Sequence, residues 1–167
     1  MNNNLSDFLK FAKDHNRIKE INEAFDDYPV EDEWHMGRIE NVIKEEEAEY
    51  NIKYCIGDIV FVKKYTYENG EFGKNHLFVI IDQDNTAVPI ENFGMLISSN
   101  LNKLKFESNI LLEHDENNNL KKDSLVKTDV LYKILDEQIL FKIGNVDEEK
   151  IEEYKRSFYE YINTSEN

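Results

Sequence analysis

Few side chains in this 167-residue sequence are equipped for chemistry, and those few are scattered. The four histidines are His15, His35, His76 and His114, and Cys55 is the single cysteine. One thiol can form neither an intramolecular disulfide nor a cysteine-based metal cluster. No phosphate-cradling glycine loop, G-x-S-x-G elbow, H-E-x-x-H pair or Cys/His zinc spacing occurs. A lone histidine in such a chain serves as a surface or capping residue more often than as a ligand. The nearest approach to a basic patch is Lys103, Lys105, Lys121 and Lys122, interleaved with Leu104 and Phe106. That pattern allows a local RNA groove, but lysines flanking strands also guard exposed sheet edges, and the second reading is preferred.

The charge balance sharpens the question. Twenty basic residues stand against 35 acidic ones, a net charge of −15. Both parts of the chain are acidic, with 7 basic and 14 acidic side chains in residues 1–54 and 13 and 21 in residues 55–167. Neither offers the broad basic face of a general nucleic-acid binder. Screening confines surface potentials to about 8–10 Å, so a small basic groove is compatible with this excess. The opening MNNNLSDFLKFAKD lacks the basic and apolar regions of a signal peptide. No apolar run approaches the ~20 residues needed to cross a bilayer. A cytoplasmic protein without membrane attachment is expected.

The elements that must position any site fall into two groups. From Ser6 to Tyr50 the period is helical. Ser6 reads as an N-cap, and Phe8, Phe11, Ala12, Ile18 and Phe25 share one face. Pro29 ends that helix, and a second carries Trp34, Ile39, Val42, Ile43 and Tyr50 on its buried side. The run Glu45–Glu47 is its solvated face. At Gly57 the period changes to that of strands. Strands are predicted at Asp58–Lys64, His76–Asp82, Met95–Ser98, Asn109–Leu112, Leu125–Tyr132 and Gln138–Ile143. Asn69-Gly70 supplies a hairpin turn, Glu113–Lys122 a loop, and Asp136-Glu137 a tight turn. A helix closes the chain from Asp147 to Ile162, with Ile151, Tyr154, Phe158, Tyr161 and Ile162 on its apolar face. The class is α+β, with many short strands suiting a small antiparallel barrel or sandwich.

Read as a continuous series, the β region resembles the MazF/PemK family of bacterial toxin ribonucleases. Ile56-Gly57-Asp58-Ile59-Val60-Phe61-Val62 looks like the family's opening G-D-I/V strand. Asn69-Gly70-Glu71-Phe72-Gly73-Lys74 resembles its glycine-containing first loop, and His76–Ile81 stands where the family has R-P-x-x-V-I. Ile97–Lys103 resembles its I-T-x-Q stretch and Asp123–Asp129 its later D-S-V strand. Lys142-Ile143-Gly144 then leads into the terminal helix, so the likeness spans residues 56–162 in unbroken order. It implies a small antiparallel β-barrel over residues 56–167, preceded by an acidic helical extension over residues 1–55. It also implies a metal-independent, cofactor-free endoribonuclease acting on single-stranded RNA. Its partners would be an antitoxin protein and a second copy of the chain in a homodimer.

Two places depart from the family. His76 stands for its arginine and Ser98 for its threonine, while Leu77 and Asn100 replace its proline and glutamine. The resemblance makes His76 and Ser98 the catalytic pair, with Lys74, Ser99 and Asn100 contacting phosphate or bases. Imidazole titrates near ~6.5 and suits proton transfer at neutral pH. It does not reproduce the fixed bidentate charge of a guanidinium. The alternative is a barrel without catalysis that serves as an acidic protein-binding or nucleic-acid-mimicking module. Asp58 and Asp129 are read as structural. The stretch Phe25–Trp34, acidic and aromatic, suits either a cover for the site, in the manner of an antitoxin, or a helical subdomain lying on the barrel.

Overall fold

The computed structural model describes residues 5–21, 54–62 and 76–165. The second predicted helix, the Phe25–Trp34 stretch, the Asn69-Gly70 turn and Lys74 lie outside the described residues.

Helix α1 (Asp7–Asp14) starts where the hydroxyl of Ser6 accepts the Leu9 amide proton at 3.1 Å. It ends sooner than its apolar period suggests. Asn16 takes a left-handed conformation, with φ of 56°, and Arg17 N–H bonds back to Ala12 O at 3.0 Å. Ile18, expected on the same helix, therefore lies in a strand, β1 (Ile18–Glu20). Its β-branched side chain suits that state better than a helix.

The remaining strands are β2 (Asp58–Val62), β3 (His76–Asp84), β4 (Glu91–Ser98), β5 (Asn109–Leu112), β6 (Ser124–Lys127), β7 (Leu131–Leu135) and β8 (Ile139–Asn145). The expected strand Leu125–Tyr132 is two strands. Thr128 leaves the ladder because its N–H and its hydroxyl both bond to Ser108 O, at 2.9 and 2.6 Å. Helix α2 (Glu148–Ser165) buries Ile151, Tyr154, Phe158 and Ile162. No described helix is long and apolar enough to cross a membrane.

Strand β4 organises the sheet. One edge pairs with β3, and the other pairs first with β7 and then, through Ile97 and Ser98, with β6. The full path runs β1-β7-β4-β3-β2-β8, with β5 attached through β6. All pairings are antiparallel except β1 with β7. The expected closed antiparallel barrel is not what these ladders form: among the described residues, the path is open at β1 and β8. A loop occupies the flank of β8 instead. Asn145 N–H bonds to Asn117 O, and the Asn119 amide bonds to Ile143 O. A Cβ on Gly144 would stand 2.5 Å from the Asn117 and Asn118 carbonyl oxygens, so only glycine admits that loop.

Both faces of the sheet are buried. On one, Ile59, Phe61, Val79, Met95 and Phe141 pack with Phe8, Leu9 and Ala12 of α1 and with Tyr154, Phe158 and Ile162 of α2. On the other, Val60, Val62, Phe78, Ile80, Leu96, Tyr132 and Ile134 form a second cluster. Asp82 ties the first layer together: its carboxylate accepts from Ser6 Oγ at 2.6 Å and lies 3.7 Å from Lys155 Nζ. Burial holds the Tyr154 phenol well above its usual pKa.

Candidate functional site

The β3–β4 register brings two of the expected site residues to one place. Leu77 pairs with Ile97 and Phe78 with Leu96. One residue beyond that pair, His76 opens β3 and Ser98 closes β4, so the same register continued outward would set them opposite each other. Residues on one antiparallel rung point to the same face, here that of Phe78 and Leu96. Ser98 is buried, and its Oγ accepts the Asn100 N–H at 3.1 Å. That bond leaves the hydroxyl proton for an incoming acceptor. His76 is half-buried, and its Nδ1 accepts the Leu77 N–H at 3.0 Å. A backbone donor on Nδ1 assigns the proton of the neutral ring to Nε2.

Ser99 and Asn100 are exposed just beyond this rung. Asn100 has a local duty, because its Oδ1 accepts from Asn102 N–H at the start of the short 3-10 turn Leu101–Lys105. The expected patch of four lysines divides between that turn and the far loop. Lys103 and Lys105 sit in the turn, and Lys121 and Lys122 lie in the stretch before β6. Asp58 is structural as expected: its carboxylate accepts from Cys55 N–H at 2.8 Å and lies 3.2 Å from Lys142 Nζ.

Asp129 is half-buried. Its Oδ1 is buried and, among the described residues, has no hydrogen-bond partner. The same holds for Oδ1 of Asn109, whose residue is 8% exposed. Both residues line a pocket of about 620 Å³ between β5, β6 and the end of α2. Lys103, Phe106, Lys127 and Tyr161 also border it. Strand β6 links the two places, since Leu125 pairs with Ser98 and Lys127 with Asn109. Two residues along a strand amount to about 7 Å. The lysine and phenylalanine of Leu101–Phe106 are the sequence signal for this pocket, whereas the unpartnered acceptors are visible only in the fold.

A third grouping is less equipped. His114 Nδ1 and its backbone N–H both meet Asp123 Oδ1, and the backbone bond first holds that carboxyl below its usual range. This exposed pair stands on the loop flank, with Ser124 Oγ directed to Lys122 O.

No curated protein matches the chain. Residues 56–162, from just ahead of β2 to the last buried turn of α2, match the PemK-like, MazF-like toxins of type II toxin-antitoxin systems. That stretch is most of the chain and holds His76, Ser98 and most of the pocket lining, so this protein belongs to the PemK/MazF toxin family.

Proposed function

We propose that this chain is the toxin of a toxin-antitoxin pair and cleaves single-stranded RNA without a metal ion. The observation that supports the reading is the family match over residues 56–162, which includes His76 and Ser98 at the adjoining ends of β3 and β4. In this chemistry the ribose 2′-oxygen attacks the adjacent phosphorus and loses its proton to solvent water. The P–O5′ bond breaks, leaving a 2′,3′-cyclic phosphate and a 5′-hydroxyl.

Ser98 donates its hydroxyl proton to a phosphate oxygen and steadies the charge that builds there. His76 acts as imidazolium: with Nδ1 protonated at the expense of the Leu77 contact, its Nε2 proton passes to the leaving 5′-oxygen. Ser99 and Asn100, exposed just beyond Ser98, contact phosphate or base, and Lys74, two residues ahead of His76 in the sequence, adds positive charge. An antitoxin and a second copy of the chain are its expected protein partners, and the cytoplasm its expected place.

The test is expression of the wild type beside His76→Ala, followed by growth and by the integrity of cellular RNA. Removing a general acid costs about 10²–10⁴ in rate, so the variant should be harmless where the wild type arrests growth. Equal RNA decay in both would remove His76 from the mechanism. A folded wild type inert on RNA would favour the non-catalytic, acidic binding module.

A further inference from the structure

We propose that His114, oriented by Asp123, is a second catalytic histidine of this protein and takes the proton of the attacking ribose 2′-hydroxyl. The inference rests on the RNA-cleaving reading of this protein and puts a fixed side chain in the place of solvent water as acceptor of that proton.

The topology brings this pair to the same end of the sheet as His76 and Ser98. His76 opens β3, Ser98 closes β4, Ser124 opens β6 and Leu112 closes β5. Ser98 pairs with Leu125, and Leu125 pairs in turn with Leu111. Asp123 directly precedes β6, and His114 stands two residues after β5. Residues paired across strands share a face, and so do residues two apart along one strand. The alternation of β6, continued one residue ahead of the strand, therefore gives Asp123 the face of Leu125 and Ser98. In that register Asp123 is the diagonal neighbour of Ser98, about 7–8 Å away. A nucleotide whose phosphate is held at Ser98 spans that gap.

Local hydrogen bonds set the two imidazoles in opposite tautomers. His114 Nδ1 and the His114 backbone N–H both meet Asp123 Oδ1, the latter at 3.0 Å. An ionised carboxylate only accepts, so Nδ1 carries the proton of the neutral ring and Nε2 presents its lone pair. Among the described residues Nε2 has no hydrogen-bond partner, and the side chain is 54% exposed, so a substrate hydroxyl can reach it. His76 is the reverse, since its Nδ1 accepts the Leu77 N–H and the proton of the neutral ring falls on Nε2. One ring is set to accept a proton and the other to donate one.

The pair has no nucleophile of its own: Ser124 is 1% exposed, and its Oγ bonds to Lys122 O. RNA brings that missing part, because its 2′-hydroxyl attacks within the same strand. As the O2′–P bond forms, the O2′–H bond breaks and its proton passes to His114 Nε2. The Asp123 carboxylate stabilises the resulting imidazolium. The P–O5′ bond breaks, and O5′ takes the Nε2 proton of the His76 imidazolium. His114 ends charged and His76 neutral, and proton exchange with water restores both.

The experiment uses the full chain and two single-stranded RNAs, one natural and one with sulfur in place of O5′ at the bond the wild type cuts. A thiolate leaves without taking a proton, so the sulfur substrate dispenses with the acid while its 2′-hydroxyl still needs the base. On natural RNA, His114→Ala and His76→Ala should each slow cleavage by about 10²–10⁴. On the sulfur substrate, His76→Ala should return to near the wild-type rate and His114→Ala should stay slow. Asp123→Asn should move with His114→Ala on both RNAs. Imidazole in the buffer should restore part of the rate of His114→Ala, which a merely structural defect would not allow. Wild-type rates for His114→Ala on natural RNA, or its recovery on the sulfur substrate, would overturn the assignment. A wild type inert on both RNAs would instead remove the ribonuclease reading itself.

Discussion

Helix α1 lies outside the family region, yet its Phe8 reaches the same layer as Phe158 of α2, with ring centroids 5.1 Å apart and planes tilted by 55°. Phe158 is fully buried and Phe8 is 4% exposed, so solvent weakens their contact very little. Phe8 also meets Tyr159 edge-on at 5.6 Å, and Phe11 meets Phe158 at 6.2 Å. Leucine at either position keeps most of the apolar volume, so Phe8→Leu and Phe158→Leu should each cost about 1–1.5 kcal/mol. The ring pair itself should contribute about 0.5–1.5 kcal/mol beyond its area. The double variant loses that coupling only once, and so should be less unstable than the sum of the single variants by this amount. Urea denaturation of the four proteins supplies the cycle. Additivity within about 0.3 kcal/mol would mean that α1 does not pack on α2 in solution, and would refute this layer of the core.

Other expectations follow from single contacts. Thr128→Val removes the hydroxyl that bonds Ser108 O and Ser157 Oγ, and should destabilise the protein by about 1–3 kcal/mol in the same assay. The β1–β7 junction should depend on pH at both extremes. The Lys133 hydrogen bond holds Glu20 below its ordinary value of 4.5, and the Glu20 bond holds Lys133 above its ordinary 10.5. The stabilisation from Glu20 is present above pH 4.5 and is lost as pH falls through its lowered value. That from Lys133 is present below pH 10.5 and is lost as pH rises through its raised value. Because Glu20 is largely exposed, the pair contributes no more than about 1 kcal/mol, and the protection of the β1 amides from hydrogen exchange, relative to the intrinsic rate at each pH, should fall only outside that window.

Strands with a clear period of two were legible from residue type alone. Asn109–Leu112 was placed to the residue, and the strands beginning at Asp58 and His76 were found at their starts. Where the reading failed, a local polar residue had overridden the apolar pattern. Ile18 continues the helical spacing, but Asn16 turns the chain before it. Leu125 to Tyr132 reads as one strand, but Thr128 takes its hydrogen bonds from another segment. The loop that lies along β8 fits against Gly144, which no period announces. His76 and Ser98 were singled out through family resemblance rather than through any motif. The pocket was missed because it forms only where β5, β6 and the end of α2 come together, which no local pattern announces.

The most direct measurement of the central claim is the chemistry of the RNA ends. Purified full-length protein is incubated with single-stranded RNA in buffer containing a metal chelator, and the fragments are resolved by mass spectrometry. The account predicts fragments ending in a 2′,3′-cyclic phosphate with 5′-hydroxyl partners, formed at an undiminished rate in chelator and lost in His76→Ala. Fragments with 5′-phosphate ends, or cleavage that stops with chelation and returns with a divalent metal, would contradict it.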